Sequence, residues 1–178
     1  PIHVIFLELI MGPTCSMVYE NEPMEKNTMS QKSRPFTTTF FNWKELASSV
    51  MQGLVIAAGT LVVYQYAVHK NCNEAVTRTM VFTALIVANI FLTLVNRSFY
   101  YSVFTTLRYK NNLVFTIIGI TIVITSLLLF VKPLASFFEF TQISSLQLIF
   151  SICAGFLSVI WFEFVKWRNR RKDPDWVS

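Results

Sequence analysis

Five apolar stretches separated by polar connectors organise the chain, at residues 1 to 19, 46 to 68, 79 to 95, 113 to 131 and 146 to 165. Each is close to the roughly 17 to 25 residues an α-helix needs to cross a bilayer. The pattern predicts an all-α, polytopic membrane bundle of about five transmembrane helices, with residues 1 to 178 forming one unit. The first stretch loses its apolar character at Tyr19 and gives way to a polar run containing Pro23 and Pro35. This predicts a water-exposed loop over residues 20 to 45. Phe40-Phe-Asn-Trp-Lys-Glu45 then brings aromatic and charged residues to the start of the second helix, as expected at the headgroup level. Lys132-Pro133 ends the fourth helix, and Phe137-Phe-Glu-Phe140 forms an aromatic loop before the fifth. The fifth helix finishes in Trp161-Phe-Glu-Phe-Val-Lys-Trp167 and a basic tail.

Against this apolar background a few polar positions carry the chemistry. Glu8 lies in the first stretch, five residues before Pro13. A charged side chain in the hydrocarbon region costs at least about 2.5 to 3.5 kcal/mol on insertion scales, so an intramembrane carboxylate is a functional residue by default. Pro13 has no amide hydrogen, which removes the helical partner of the Leu9 carbonyl, and Gly12 beside it lets the backbone unwind. A carboxylate beside freed carbonyls is the make-up of a cation site. The structural alternative for Glu8 is a protonated carboxyl hydrogen-bonded inside the bundle. Asn89, within Ala84-Leu-Ile-Val-Ala-Asn-Ile-Phe-Leu92, is a second intramembrane polar group, suited to ion ligation or to bonding between helices.

Composition agrees with the pattern: 53% of the 178 residues are hydrophobic and only 14% charged, against about a quarter charged in soluble domains. Charge also sets orientation. If the segment after the first helix is cytosolic, three basic residues, Lys70, Arg78 and Lys132, lie outside and the other twelve lie in the cytosol. That is a positive-inside distribution with a cytosolic C-terminus. The net charge of +5 therefore reads as topogenic charge at helix ends, and nucleic acid is excluded as a partner. Cys15, Cys72 and Cys153 have no paired spacing and read as free thiols. The first stretch lacks a positive leader and holds Glu8 and Pro13, so it is not read as a signal peptide. The chain also begins without Met inside an apolar run, as the C-terminal part of a longer protein would.

Other features have bland readings. Ser49, Gly53 and Ala57 recur every fourth residue and predict a close helix contact on the second helix. Met11 and Cys15 are membrane packing rather than soft-metal ligands. His3 is assigned no role. Glu163 and Lys166, three apart near the end of the last helix, predict a snorkelling ion pair.

The chain resembles the C-terminal membrane region of P-type cation-transporting ATPases of the calcium, sodium/potassium and proton type. The residues that carry the resemblance are Pro1-Ile-His-Val-Ile-Phe-Leu-Glu-Leu-Ile10 followed by Pro13-Thr-Cys-Ser16 and Glu22-Pro23, then Lys32-Ser-Arg-Pro35, and Thr79-Met80 through Asn96-Arg97-Ser98. The resemblance implies that the five helices are the sixth to tenth of a ten-helix pump. It implies that Glu8 and Asn89 fall where the sixth and eighth helices present ion ligands, and that the loop with Lys32 and Arg34 touches a phosphorylation domain. ATP and magnesium are then expected in a headpiece beyond this chain, together with the missing N-terminal helices. No phosphorylation motif or nucleotide loop is present here, so no catalytic residue and no cofactor are assigned. Position 12 departs from the family: many of its cation pumps carry an Asp ligand where this chain has Gly12. The loss weakens a calcium site unless absent helices supply the charge, since calcium wants six to eight oxygens with anionic compensation, and leaves a proton, a monovalent ion or a lipid-related role open. The expected setting is a bilayer, of bacterial plasma-membrane type. Two rivals stand beside the pump reading: a non-pumping membrane scaffold, and a proton-coupled secondary transporter using Glu8.

Overall fold

The computed structural model describes residues 2–20, 43–97, 103 and 112–172. They form α1 (Ile2–Glu20), α2 (Trp43–His69), α3 (Glu74–Val95), α4 (Asn112–Phe130), the short α5 (Lys132–Phe137) and α6 (Ser145–Lys172). No strand occurs among the described residues. The fold is the all-helical membrane bundle that the apolar pattern predicts. Leu46–His69, Glu74–Val95 and Ser145–Arg168 are long and apolar enough to cross a membrane, and Val114–Phe130 is a shorter apolar helix. α1 occupies the first apolar stretch and runs for 19 residues, roughly 28 Å at 1.5 Å per residue.

α3 is the hub. It packs against α6, α2, α1 and α4, and half of its apolar span is buried, against about a tenth for α2. Its buried residues include Met80, Phe82, Ala84, Ile86, Ala88 and Val95. Two glycines set the closest helix crossings. A methyl group added at Gly155 of α6 would lie 2.6 Å from the carbonyl oxygen of Ala84 on α3 and 3.1 Å from Val87. At Gly59 of α2 it would lie 2.9 Å from Cβ of Ser158 on α6. Small residues let backbones approach where lipid supplies no hydrophobic drive between helices. The stripe predicted for this role is not the one used: Ser49, Gly53 and Ala57 are exposed, and nothing lies within 4 Å of a methyl group at Gly53. Helical spacing reveals a smooth face but not which neighbour reaches it.

Two turns of one kind close the end of the bundle where α2 meets α3. After α2, Asn71 takes a left-handed conformation (φ 51°), and the amides of Asn71 and Cys72 cap the carbonyls of Val68 and Ala67. This is a Schellman cap, with Asn in the slot that disfavours most side chains. After α5 the same motif recurs with Glu139 at φ 53°, and the amides of Glu139 and Phe140 cap Ser136 and Ala135. Glutamate has no intrinsic preference for that slot. Arg78 of α3 holds it there, pairing with Glu139 and also with Glu74 at 2.8 Å. The turn directs Phe138 and Phe140 inward, where with Phe82, Ile86 and Leu128 they form a buried cluster joining α3, α4 and the α5 turn.

At the other end, Gln52 of α2 and Asn96 at the end of α3 exchange two amide hydrogen bonds, of 3.1 and 3.2 Å. Gln52 is buried. Nearby, Lys166 of α6 donates to the Val95 carbonyl and to Glu163 at 3.0 Å, while Glu163 also accepts from the Val103 amide at 3.4 Å. The predicted Glu163–Lys166 pair therefore forms, but the lysine does not snorkel: it is buried at 3% exposure. The last carbonyls of α3 have no intrahelical partner, and here one of them replaces water for the ammonium. Removing one member of a buried pair strands the other at a cost of about 3 to 5 kcal/mol. Lys166→Met should therefore lower the thermal midpoint of the solubilised chain sharply, and adding Glu163→Gln should recover much of the loss. Equal midpoints for the single and double variants would show that the pair does not couple.

Candidate ion-path face

α1 has two faces of different character. His3, Phe6 and Leu7 turn inward against the cluster of Phe82, Phe138 and Phe140. The His3 ring lies 5.1 Å from Phe140 and 5.9 Å from Phe138, and its Nε2 donates to the Phe138 carbonyl at 2.7 Å. His3, given no role from the sequence, thus fixes the start of α1 to the α5 turn. The opposite face carries Glu8, Gly12, Ser16 and Glu20, each four residues apart and each exposed. Ser16 donates to Glu20 at 3.0 Å, and the space around Gly12 is open.

One expectation is corrected. α1 is helical without interruption from Ile2 to Glu20, through Gly12 and Pro13. Proline removes a single hydrogen bond and tends to kink a helix rather than end it, and in an apolar medium the surrounding amides have no better partner than their own helix. What Gly12 contributes is an open surface one turn beyond the carboxylate.

Asn89 is half-buried on α3 and its Nδ2 donates to the Leu85 carbonyl at 2.9 Å, one turn back on its own helix. Its own carbonyl accepts from Thr93 at 2.9 Å. Of the two readings left open by the sequence, bonding between helices is therefore not the one its amide nitrogen adopts. Glu8 is exposed on α1, and Asn89 bonds within its own helix α3. Lys32 and Arg34 lie outside the described residues. Cys72 and Cys153 are free thiols.

Two polar features escaped the sequence reading. Gln52 was a visible signal, a carboxamide inside an apolar run, but its partner Asn96 is 44 residues away. The Arg78–Glu139 pair spans 61 residues and depends on a turn whose conformation the sequence does not announce.

The described residues thus form a helical membrane bundle with a carboxylate on an exposed helix face. Residues 1–168 match the family described as cation transporting ATPase, C-terminus, and the chain belongs to that family. Over 170 residues it is 22% identical to Calcium-transporting ATPase 1 of Schizosaccharomyces pombe (strain 972 / ATCC 24843), a match covering 95% of this chain and 19% of the relative. The chain spans about a fifth of the length of the curated relative it matches.

Proposed function

We propose that the chain is the C-terminal transmembrane part of an ATP-driven cation pump and that α1 lends Glu8 to the ion path. The observation that carries this reading is the position of Glu8 on the open face of α1, in line with Gly12 and Ser16. A carboxylate left against acyl chains would cost at least about 2.5 to 3.5 kcal/mol, so the face calls for a polar cover from the remainder of the pump. Asn89 contributes its amide oxygen, the nitrogen being held by Leu85. In this reading α1, α2, α3, α4 and α6 are the last five spans of the pump, with loop 20–45 and the C-terminus in the cytosol. Lys32 and Arg34 then meet the phosphorylated headpiece, where ATP and magnesium act.

Calcium, which the yeast relative is named for transporting, is the first ion to test. Gly12 supplies no side-chain oxygen, so most of calcium's six to eight ligands would come from helices beyond this chain. The expectation of a bacterial membrane finds no support in a fission-yeast relative, and the reading is confined to an integral membrane protein. The test is chemical labelling of the intact pump with dicyclohexylcarbodiimide, which attacks protonated carboxyls in apolar surroundings. Modification at Glu8 should fall severalfold when the transported cation is added. Labelling that ignores calcium, sodium and potassium alike would remove Glu8 from the path.

A further inference from the structure

The start of α1 meets the bundle through one stripe. His3, Phe6 and Leu7 stand three and four residues apart, so all three reach the aromatic cluster of α3 and the α5 turn from the same side. The Phe6 ring lies 5.0 Å from Phe138 and 6.4 Å from Phe82. Apolar contact of this kind is non-directional and fixes the height and rotation of a helix only loosely. The His3 bond is directional. A carbonyl only accepts, so the ring carries its proton on Nε2, and a bond of 2.7 Å to the Phe138 oxygen weakens steeply once its angle is lost.

The acceptor is itself held in place. Phe138 is buried and closes α5, its amide bonded to the Leu134 carbonyl, and the next two amides cap Ser136 and Ala135. Arg78 ties Glu139, the following residue, to α3. The Phe138 carbonyl therefore stands at a set height beside α3. Phe82, Phe138 and Phe140 flank the imidazole at 6.0, 5.9 and 5.1 Å.

Helix geometry carries that fixed point to Glu8. Five residues separate the two, about 140° round the axis and about 7.5 Å along it. With His3 held inward, Glu8 is presented on the exposed face of α1 in line with Gly12. A slip of one residue would turn the carboxylate by about 100° and move it by about 1.5 Å.

We infer that His3 is a positioning residue for Glu8: its bond to the Phe138 carbonyl sets the rotation and height of α1 and so aims the carboxylate at the ion path. This role rests on the ion-path reading of Glu8.

Two readouts test it. For the first, the full chain with Cys15, Cys72 and Cys153 replaced by Ser is reconstituted into phosphatidylcholine bilayers. It carries spin labels at Gly12→Cys and Gly53→Cys, where an added β-carbon meets nothing within 4 Å. Pulsed electron–electron resonance should give one narrow distance in this parent. His3→Phe keeps a packed ring without the donor, and its distribution should be about twofold broader as α1 samples further registers. His3→Gln, whose amide nitrogen reaches where Nε2 sits, should restore the parent distance. The second readout is ATP hydrolysis by the intact pump, stimulated by whichever of calcium, sodium and potassium is effective. His3→Phe should raise the KM for that cation about fivefold, the equivalent of one hydrogen bond of about 1 kcal/mol, with kcat held within about twofold. His3→Gln should recover the parent KM.

A distance distribution in His3→Phe identical to the parent's overturns the proposal, because the register then does not depend on the bond. Equal broadening in His3→Gln and His3→Phe overturns it too and assigns the hold to the ring rather than to its donor. If the register is lost while KM stays at the parent value, Glu8→Gln decides between the two readings. Where that variant abolishes stimulation, Glu8 is a ligand that His3 does not aim, and the proposal falls. Where it leaves stimulation normal, the ion-path reading falls instead, and the hold of His3 on α1 stands on the measured distances.

Discussion

Glu8→Gln in the intact pump should abolish cation-stimulated ATP hydrolysis at ordinary ion concentrations. The glutamine keeps the volume of the side chain and one oxygen but removes the charge that offsets a desolvated cation. Losing one member of a buried charge pair costs about 3 to 5 kcal/mol, or about two to four orders of magnitude in cation affinity. Glu8→Asp keeps the charge on a shorter arm and should fall between the two. The thermal midpoint of the cation-free protein should hold or rise with Glu8→Gln, since a carboxylate enclosed by other helices is itself unfavourable. This separates a lost ligand from a damaged fold. Stimulation that stays normal with Gln at position 8 would place the cation elsewhere.

The largest effect on the fold itself should come from Gly155→Leu. Even the first carbon of any side chain there meets the Ala84 carbonyl oxygen at 2.6 Å, a backbone atom that cannot swing aside. Gly155→Ala should cost about 1 to 3 kcal/mol from overpacking, offset in part by the better helix propensity of alanine, worth about 1 kcal/mol. Leucine should separate α6 from α3 and leave little folded protein. Gly53→Ala is the internal control. Its added methyl group meets nothing, so the variant should be neutral or slightly stabilised. Midpoints measured by fluorescence-detected size exclusion decide the matter: similar behaviour at the two glycines would mean that α3 and α6 are not in close contact.

The contrast between Gly53 and Gly155 also marks where reading from sequence stops. Helix positions were accessible because an apolar run of bilayer length has few other solutions: the stretches 46 to 68 and 113 to 131 became Trp43–His69 and Asn112–Phe130. Helix partners were not, because lipid-facing and protein-facing positions are mostly apolar alike, and α2 shows its small-residue stripe to the outside. Glu8 stood out for its cost in hydrocarbon, but its local backbone was misjudged: Pro13 removes one bond, and the helix continues. Lys166 was expected at the water boundary because a free lysine reaches for it. The Val95 carbonyl, 71 residues away in sequence, changes that balance and could be located only in three dimensions. The anchoring of His3 depended in the same way on a turn 135 residues away.

The hydroxyls of α3 bear on how the protein is made. Thr77, Thr79, Thr83 and Thr93 each return a bond to a carbonyl one turn back on α3 or at its start, and Asn89 does likewise. Such a segment needs no neighbour to satisfy these side-chain donors. During synthesis α3 leaves the ribosome long before α6, the helix it packs against most. It can therefore wait alone in the bilayer, already solvated by its own backbone, until its later companion arrives.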